Sequence, residues 1–374
     1  MKVAIMGAGM SGLACAITLE QHGLTPAIFE KRNCVGDRFV NAEATFSILN
    51  RPVNNDLLYL QQNFNIHLRS TDAVKKLVIH SKNEIGSIDG NIGFVNIRGR
   101  HKESYENQLS KQVKSPIQFN SAAEYAQLCK EFDYVILAPG DGIYACELGN
   151  YRSDLTCTIR GATVEGDFLT DISHVWFNYQ IIPRGYAWLI PFSEKEANLV
   201  IAYPDYPDNI RLDIDVMWNE FYHLACKQLD QNFTITDKFE INRYMMGICD
   251  KPRIDNTYFV GNCFGSISPG LGFGQFAAML TGIYAAMDIC GLGKYEELVK
   301  PLFDNYNNSL VLRRFLEGLD DTKLDFLIKN LDNKLTNNLI DFTLSKDSNF
   351  ELLKNLTPVI ETWNSFHSKN LSLK

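Results

Sequence analysis

The chain opens on a short unbroken apolar run, Val3–Met6, the pattern of a strand buried on both faces. After a glycine-rich turn, Leu13, Ala16, Ile17 and Leu19 recur at helical spacing until Gly23 interrupts them. Residues 26–30 read as a second strand, so the opening predicts a β–α–β unit. Strand-like pieces follow at 76–79 and 92–97, separated by Gly and Asn. Helical spacing returns at 105–113 and 122–130, and a strand at 134–138 stops at Pro139-Gly140. Residues 156–243 are β-rich, with one amphipathic helix at 216–229. A short strand at 257–260, a second glycine-rich loop and a long apolar helix come next. Beyond Leu292, Leu, Phe and Ile recur at helical spacing nearly to Trp363. The longest apolar stretch, 276–292, contains Thr281, Gly282 and Asp288, and predicts a buried helix rather than a membrane span.

This order predicts an α/β chain with an α+β substrate lobe. A Rossmann-type dinucleotide domain, discontinuous in sequence, is expected over 1–55, 100–150 and 252–292. An antiparallel-sheet substrate domain takes 56–99 and 151–251, and a C-terminal helical region takes 293–374. Two lobes sharing a crevice suit a length of 374 residues. A net charge of −8 argues against nucleic acid as partner. The nine cysteines are scattered singly with no Cys-x-x-Cys pair, which reads as reduced thiols in a cytoplasmic protein, with no metal site. The strand begins almost at the first residue, so no leader peptide is expected ahead of it.

Gly7-Ala8-Gly9-Met10-Ser11-Gly12 sits between predicted strand and helix. The first glycine allows the tight turn, the second lets backbone approach a pyrophosphate, and the third brings helix and strand together. The helix start, with Met10 and Ser11, presents N–H groups and a positive dipole. Glu30, at the end of the second strand, is placed to hold ribose hydroxyls.

The far end of the chain decides which dinucleotide. Gly261-Asn262-Cys263-Phe264-Gly265, then Pro269-Gly270-Leu271-Gly272-Phe273-Gly274, resembles the second FAD fingerprint of the aromatic-hydroxylase-like flavoproteins. That resemblance implies FAD, with Gly261 and Asn262 at the ribityl chain and Pro269, Gly272, Phe273 and Gly274 beside the isoalloxazine. Asn262 replaces the usual aspartate, which removes a charged acceptor. The strand ending at Ala138-Pro139-Gly140 matches the Ala-x-Gly strand that crosses near FAD. Arg100 or Lys102 stands where the superfamily carries a pyrophosphate-binding arginine, and Lys31 and Arg38 join the cofactor contacts.

Pro183-Arg184-Gly185-Tyr186-Ala187-Trp188-Leu189-Ile190-Pro191 resembles the Pro-x-x-Tyr-x-Trp-x-Phe-Pro motif of the geranylgeranyl reductase family, with Ile190 for the phenylalanine. The resemblance spans most of positions 1–290. It implies saturation of isoprenoid double bonds by hydride from reduced FAD, with Tyr186, Trp188, Pro191 and Asn41 at the substrate. Tyr186 and Trp188 share one face of a strand, where they either pack the sheet's core or wall a prenyl pocket. Asn41 stands where the family carries a cysteine. Glu43 and Tyr186 are the candidate catalytic groups, and the proton donor is unassigned.

The same Tyr-x-Trp-x-Ile-Pro also resembles an element of flavin-dependent halogenases, which need a lysine beyond the flavin; the pair Lys75-Lys76 is the nearest candidate, and a solvated charged turn explains it better. A flavin monooxygenase, a redox-neutral isomerase or cyclase, and a non-catalytic flavin-binding sensor are the other readings. No second fingerprint for NAD(P)H is present. The expected partners are a small-molecule or lipid substrate and an external donor: ferredoxin, reduced flavin or NAD(P)H. A lipid substrate would bring the protein into peripheral contact with a membrane.

Overall fold

The computed structural model describes residues 1–36, 39–50, 53–331 and Asn355. Its elements are β1 (Val3–Met6), α1 (Met10–Gln21), β2 (Ala27–Phe29), β3 (Asn41–Phe46), α2 (Asp56–Phe64), β4 (Asp72–His80), β5 (Ile85–Arg98), α3 (Tyr105–Ser110), β6 (Ile117–Gln118), α4 (Tyr125–Glu131) and β7 (Tyr134–Leu137). There follow α5 (Ile143–Glu147), β8 (Tyr151–Glu165), β9 (Ile172–Trp176), β10 (Tyr186–Pro191), β11 (Glu196–Pro204), α6 (Ile214–Gln228), β12 (Thr234–Cys249), β13 (Arg253–Ile254), β14 (Thr257–Phe259), α7 (Gln275–Ile289), α8 (Tyr295–Leu298), α9 (Lys300–Glu317) and α10 (Asp321–Lys329).

The all-apolar β1 is the centre of a six-stranded sheet ordered β13-β14-β7-β1-β2-β6, in which β14, β7, β1, β2 and β6 run parallel. Burial on both faces explains why β1 reads as a continuous hydrophobic run rather than an alternation. Helices α1 and α7 pack on each other against this sheet. The fit is set by Gly282: a Cβ there would lie 2.0 Å from the Ser11 carbonyl oxygen. The apolar stretch therefore forms a buried helix, and among the described residues no helix is long and apolar enough to cross a membrane.

The second sheet has eight strands in the order β12-β8-β11-β10-β9-β4-β5-β3, antiparallel except for the β4–β9 pair. Strand β3 lies within the 1–55 segment assigned to the dinucleotide domain, yet it pairs with β5 at this sheet's edge. One face of the sheet carries α6, whose Phe221 packs with Trp176, Ala187 and Leu189. On that face His80, His174 and Trp176 form a cluster of near-parallel rings, with His80 Nε2 and His174 Nδ1 3.1 Å apart. The other face turns Tyr186, Trp188 and Ile190 toward the first sheet. Helix α10 is pinned at the β4–β5 connection by Asp325, which accepts from Ser81 Oγ at 2.5 Å and Asn83 Nδ2 at 2.7 Å. All nine cysteines are free thiols. Helices α8, α9 and α10 make the chain helical from Tyr295 nearly to residue 331, and the remainder of 293–374, apart from Asn355, lies outside the described residues.

Candidate functional site

Between the two sheets lies a cavity of about 1180 Å³, larger than the roughly 300–1,000 Å³ that takes one drug-sized ligand. Gly7, Gly9, Met10 and Ser11 line it, and Gly12 lies just behind them. A Cβ on Gly12 would stand 2.0 Å from the Gly7 carbonyl oxygen, so only glycine lets α1 begin this close to the turn. Helix α1 has no side-chain cap and no acid in its first turn, and α7, which starts after Gly274, has neither. Two helix N-termini thus bring unpartnered amide groups and positive dipole ends to one cavity.

Glu30 is buried and accepts from the Ala8 amide at 2.8 Å and the Arg32 amide at 3.0 Å. It braces the glycine loop, and its remaining lone pairs are open to a diol. Lys31, Ala138 and Gly140 share this wall, Gly261 and Asn262 adjoin it, and Pro269, Gly272, Phe273 and Gly274 also line the cavity. Arg38 falls outside the described residues.

Asn262 does more than stand in for an aspartate. Its amide donates to the Gly140 carbonyl at 2.8 Å and to Tyr244 Oη at 2.5 Å, while its Oδ1 accepts from Ser266 Oγ at 2.9 Å. A carboxylate could make neither of the first two bonds as donor. The side chain ties the end of β7 to the second glycine loop.

The basic residues predicted for the pyrophosphate are not on the wall. Arg100 is turned outward onto Asp237, and Lys102 is exposed. The chain turns at Gly99, which sends Arg98 inward and Arg100 outward. Arg98 lines the cavity, donating Nε to Glu106 at 2.7 Å and approaching Glu43 at 3.4 Å. Burial opposes its charge, but Glu106 and then Glu43 outweigh this and raise its pKa. Glu43 also accepts from Asn41 Nδ2 at 2.8 Å and from Gln275 Nε2, so each hydrogen bond it makes is as acceptor. Three buried oxygens here, Asn41 Oδ1, Gln275 Oε1 and Glu106 Oε2, have no protein donor among the described residues. Orphaned acceptors beside two uncapped helix starts fit a dinucleotide carrying phosphates, hydroxyls and ring N–H groups. These residues fit FAD.

On the far wall Tyr186 and Trp188 face the cavity with ring centroids 5.4 Å apart. Tyr186 donates its hydroxyl to the Leu271 carbonyl at 2.6 Å, and burial pushes its pKa up. Around them Leu77, Ile79, Ile88, Ile92 and Ile190 make the wall apolar. Pro191 is not on it. Cys157 is, as a buried thiol whose pKa burial pushes up to about 12. Lys75 is exposed and Lys76 half-buried; they pair with Asp171 and Asp89, and neither reaches the cavity. The sequence reading missed Arg98, Glu106, Gln275 and Arg313. The signal for Arg98 was its place at the last position of a strand, just before a glycine.

The sequence model of the NAD(P)-binding Rossmann-like domain matches residues 5–54. Over 203 residues the chain is 24% identical to digeranylgeranylglycerophospholipid reductase 2 of Methanothermobacter thermautotrophicus, a match covering 50% of this chain and 50% of that protein. The match thus spans about half the length of that curated relative. Among solved structures, a geranylgeranyl bacteriochlorophyll reductase-like protein of Thermoplasma acidophilum superposes with a TM-score of 0.69 at 18% identity, over 95% of this chain and 98% of the other. The flavin-dependent brominase Bmp2 gives a TM-score of 0.67 at 13% identity, over 99% and 100%. The halogenase PltM, in a structure with FAD, gives 0.65 at 11% identity, over 97% and 92%. The resemblance to geranylgeranyl reductases and the α/β Rossmann-type fold are both matched by these relatives.

Proposed function

We propose that this chain, which has the fold shared by flavin-dependent reductases and halogenases, is an FAD-dependent oxidoreductase that saturates carbon–carbon double bonds of an isoprenoid or similarly apolar substrate. The observation that carries this reading is the apolar wall of Tyr186 and Trp188, which touches the Pro269–Gly274 turn and lines the same cavity. Bound and reduced, FAD would supply a hydride to one alkene carbon.

The protein's own part is positioning and exclusion of water. The glycine loop and Glu30 would hold the adenosine half, Arg98 the charged or polar centre, and Asn262 the geometry of the second loop. Trp188 and Tyr186, their rings tilted 37° to each other, give an aromatic surface for an apolar chain, while Leu77, Ile88 and Ile92 keep water out. The Tyr186 proton is committed to the Leu271 carbonyl, so Tyr186 is not the proton source as arranged. An external donor (ferredoxin, reduced flavin or NAD(P)H) would supply electrons.

The outward pairing of Lys75 and Lys76 with surface acids weighs against halogenation. The test is anaerobic reduction of the flavin-loaded protein followed by mixing with a panel of prenyl lipids. Flavin reoxidation with a product heavier by two hydrogens is expected. No saturated product across the panel, with turnover only in oxygen, would overturn the reductase reading in favour of oxygen chemistry.

A further inference from the structure

Every charged residue on the cavity wall precedes residue 125 in the chain except Arg313 of α9. This arginine is 5% exposed. Its Nε donates to Glu317 at 2.6 Å and one amino group, Nη2, donates to the Arg184 carbonyl at 2.6 Å. Glu317 is held in turn by Tyr206 and by Arg314 at 3.0 Å. The guanidinium is thereby fixed in plane and direction. Its other amino group, Nη1, has no hydrogen-bond partner among the described residues.

The neighbours on this part of the wall are apolar or neutral: Leu155, Cys157, Tyr186, Gly270 and Leu271. Unlike Asn41 Oδ1 or Gln275 Oε1, this amino group is not sealed by protein: it opens onto the cavity, where an arriving oxygen can accept from it. A side chain that only pinned α9 to the loop before β10 would need Nε and Nη2 alone. Rigid presentation of the remaining amino group is what recognition of a carboxylate or phosphate oxygen requires.

We infer that Arg313 is the head-group subsite, and that the apolar substrate ends in an anionic oxygen group, a carboxylate or a phosphate, docked on its Nη1 while the chain lies along Trp188 and Tyr186. This rests on the apolar-substrate reading above and names which end of such a substrate the protein recognises.

The test is calorimetric titration of the flavin-loaded protein with three probes of one chain: palmitoleic acid, palmitoleyl phosphate and palmitoleyl alcohol. The expected result is that at least one anionic probe binds about ten- to a hundredfold more tightly than the alcohol. Whether acid or phosphate binds better assigns the source. In Arg313→Met the preference should vanish while alcohol affinity holds within about threefold, and Arg313→Lys should restore part of it. Equal binding of all three by the unmodified protein overturns the inference without any variant. So does a preference that survives Arg313→Met, or an equal loss for all three probes, which marks a structural pin. Binding is read without turnover, so a retained anion preference with no alkene saturated would sink the reductase reading and leave the subsite standing.

Discussion

The hydroxyl of Tyr186 lies 2.6 Å from the backbone carbonyl of Leu271, so the strand that walls the cavity also holds the loop that faces it. Tyr186→Phe removes that bond and leaves the carbonyl without its donor. A cost of about 1 kcal/mol in stability is expected, with a larger effect on the loop than on the fold. The measurement is the visible flavin spectrum beside the melting temperature. An unchanged spectrum and unchanged flavin affinity would mean that the loop does not depend on the tyrosine.

Asn262→Asp restores the residue typical of related flavoproteins, yet here it should do harm. The carboxylate would face the Gly140 carbonyl in place of an N–H donor, at a cost of roughly 1–3 kcal/mol. Weaker FAD retention on dilution and a lower melting temperature are expected. Tighter FAD binding by the variant would refute the bridging role.

Gly282→Ala adds a methyl group 2.0 Å from the Ser11 carbonyl oxygen, backbone against backbone. Helices α1 and α7 must part, which costs on the order of 1–3 kcal/mol or more. Both thermal stability and flavin affinity should fall together, because Ser11 belongs to the glycine loop. The control is Gly291→Ala, at an exposed position just past the end of α7 with φ 75° and open space around it. That variant carries backbone strain without the helix contact, so it should lose some stability and keep its flavin affinity. Retained flavin affinity in Gly282→Ala as well would break the link between the helix crossing and the site.

The stacked pair His80 and His174 sets an acid limit. Burial lowers both pKa values to about 4, and for His80 the His174 ring adds to it. Both folded-state values lie below the unfolded value, so the stability these rings contribute is present above about pH 6.5 and is lost as pH falls toward 4. Protonating the first ring costs roughly 3 kcal/mol at full effect. Melting temperature between pH 7.5 and 4.5 should fall less steeply in His174→Gln than in the unmodified protein. Equal slopes would place the acid sensitivity elsewhere.

What was legible in the sequence was whatever steric demand writes locally. Gly12 and the run Val3–Met6 announce a strand, a turn and a helix because no other residues satisfy that geometry. Tyr186 and Trp188 announced a shared face but not which way it turned, since strand alternation is silent about the side that holds the core. Arg98 was overlooked in favour of Arg100 because the turn at Gly99 reverses the expected side. Arg313 left no trace, because it reaches the cavity only through contact with Arg184, 129 residues earlier. Asn262 read as a loss of charge, and only its two donated bonds reveal a gain.

The crossing of α1 on α7 ties Ser11 to Gly282, so the first lobe cannot close until most of the chain has been made. On a ribosome, β1, β2 and β7 emerge early and wait with one flank of α1 bare. Products that stop short of residue 275 would leave the Ser11 and Cys15 flank of α1 uncovered, and sticky. For this protein a premature stop late in the message is therefore as damaging as one near the beginning, and a chaperone that shields the early third of the chain has a long wait.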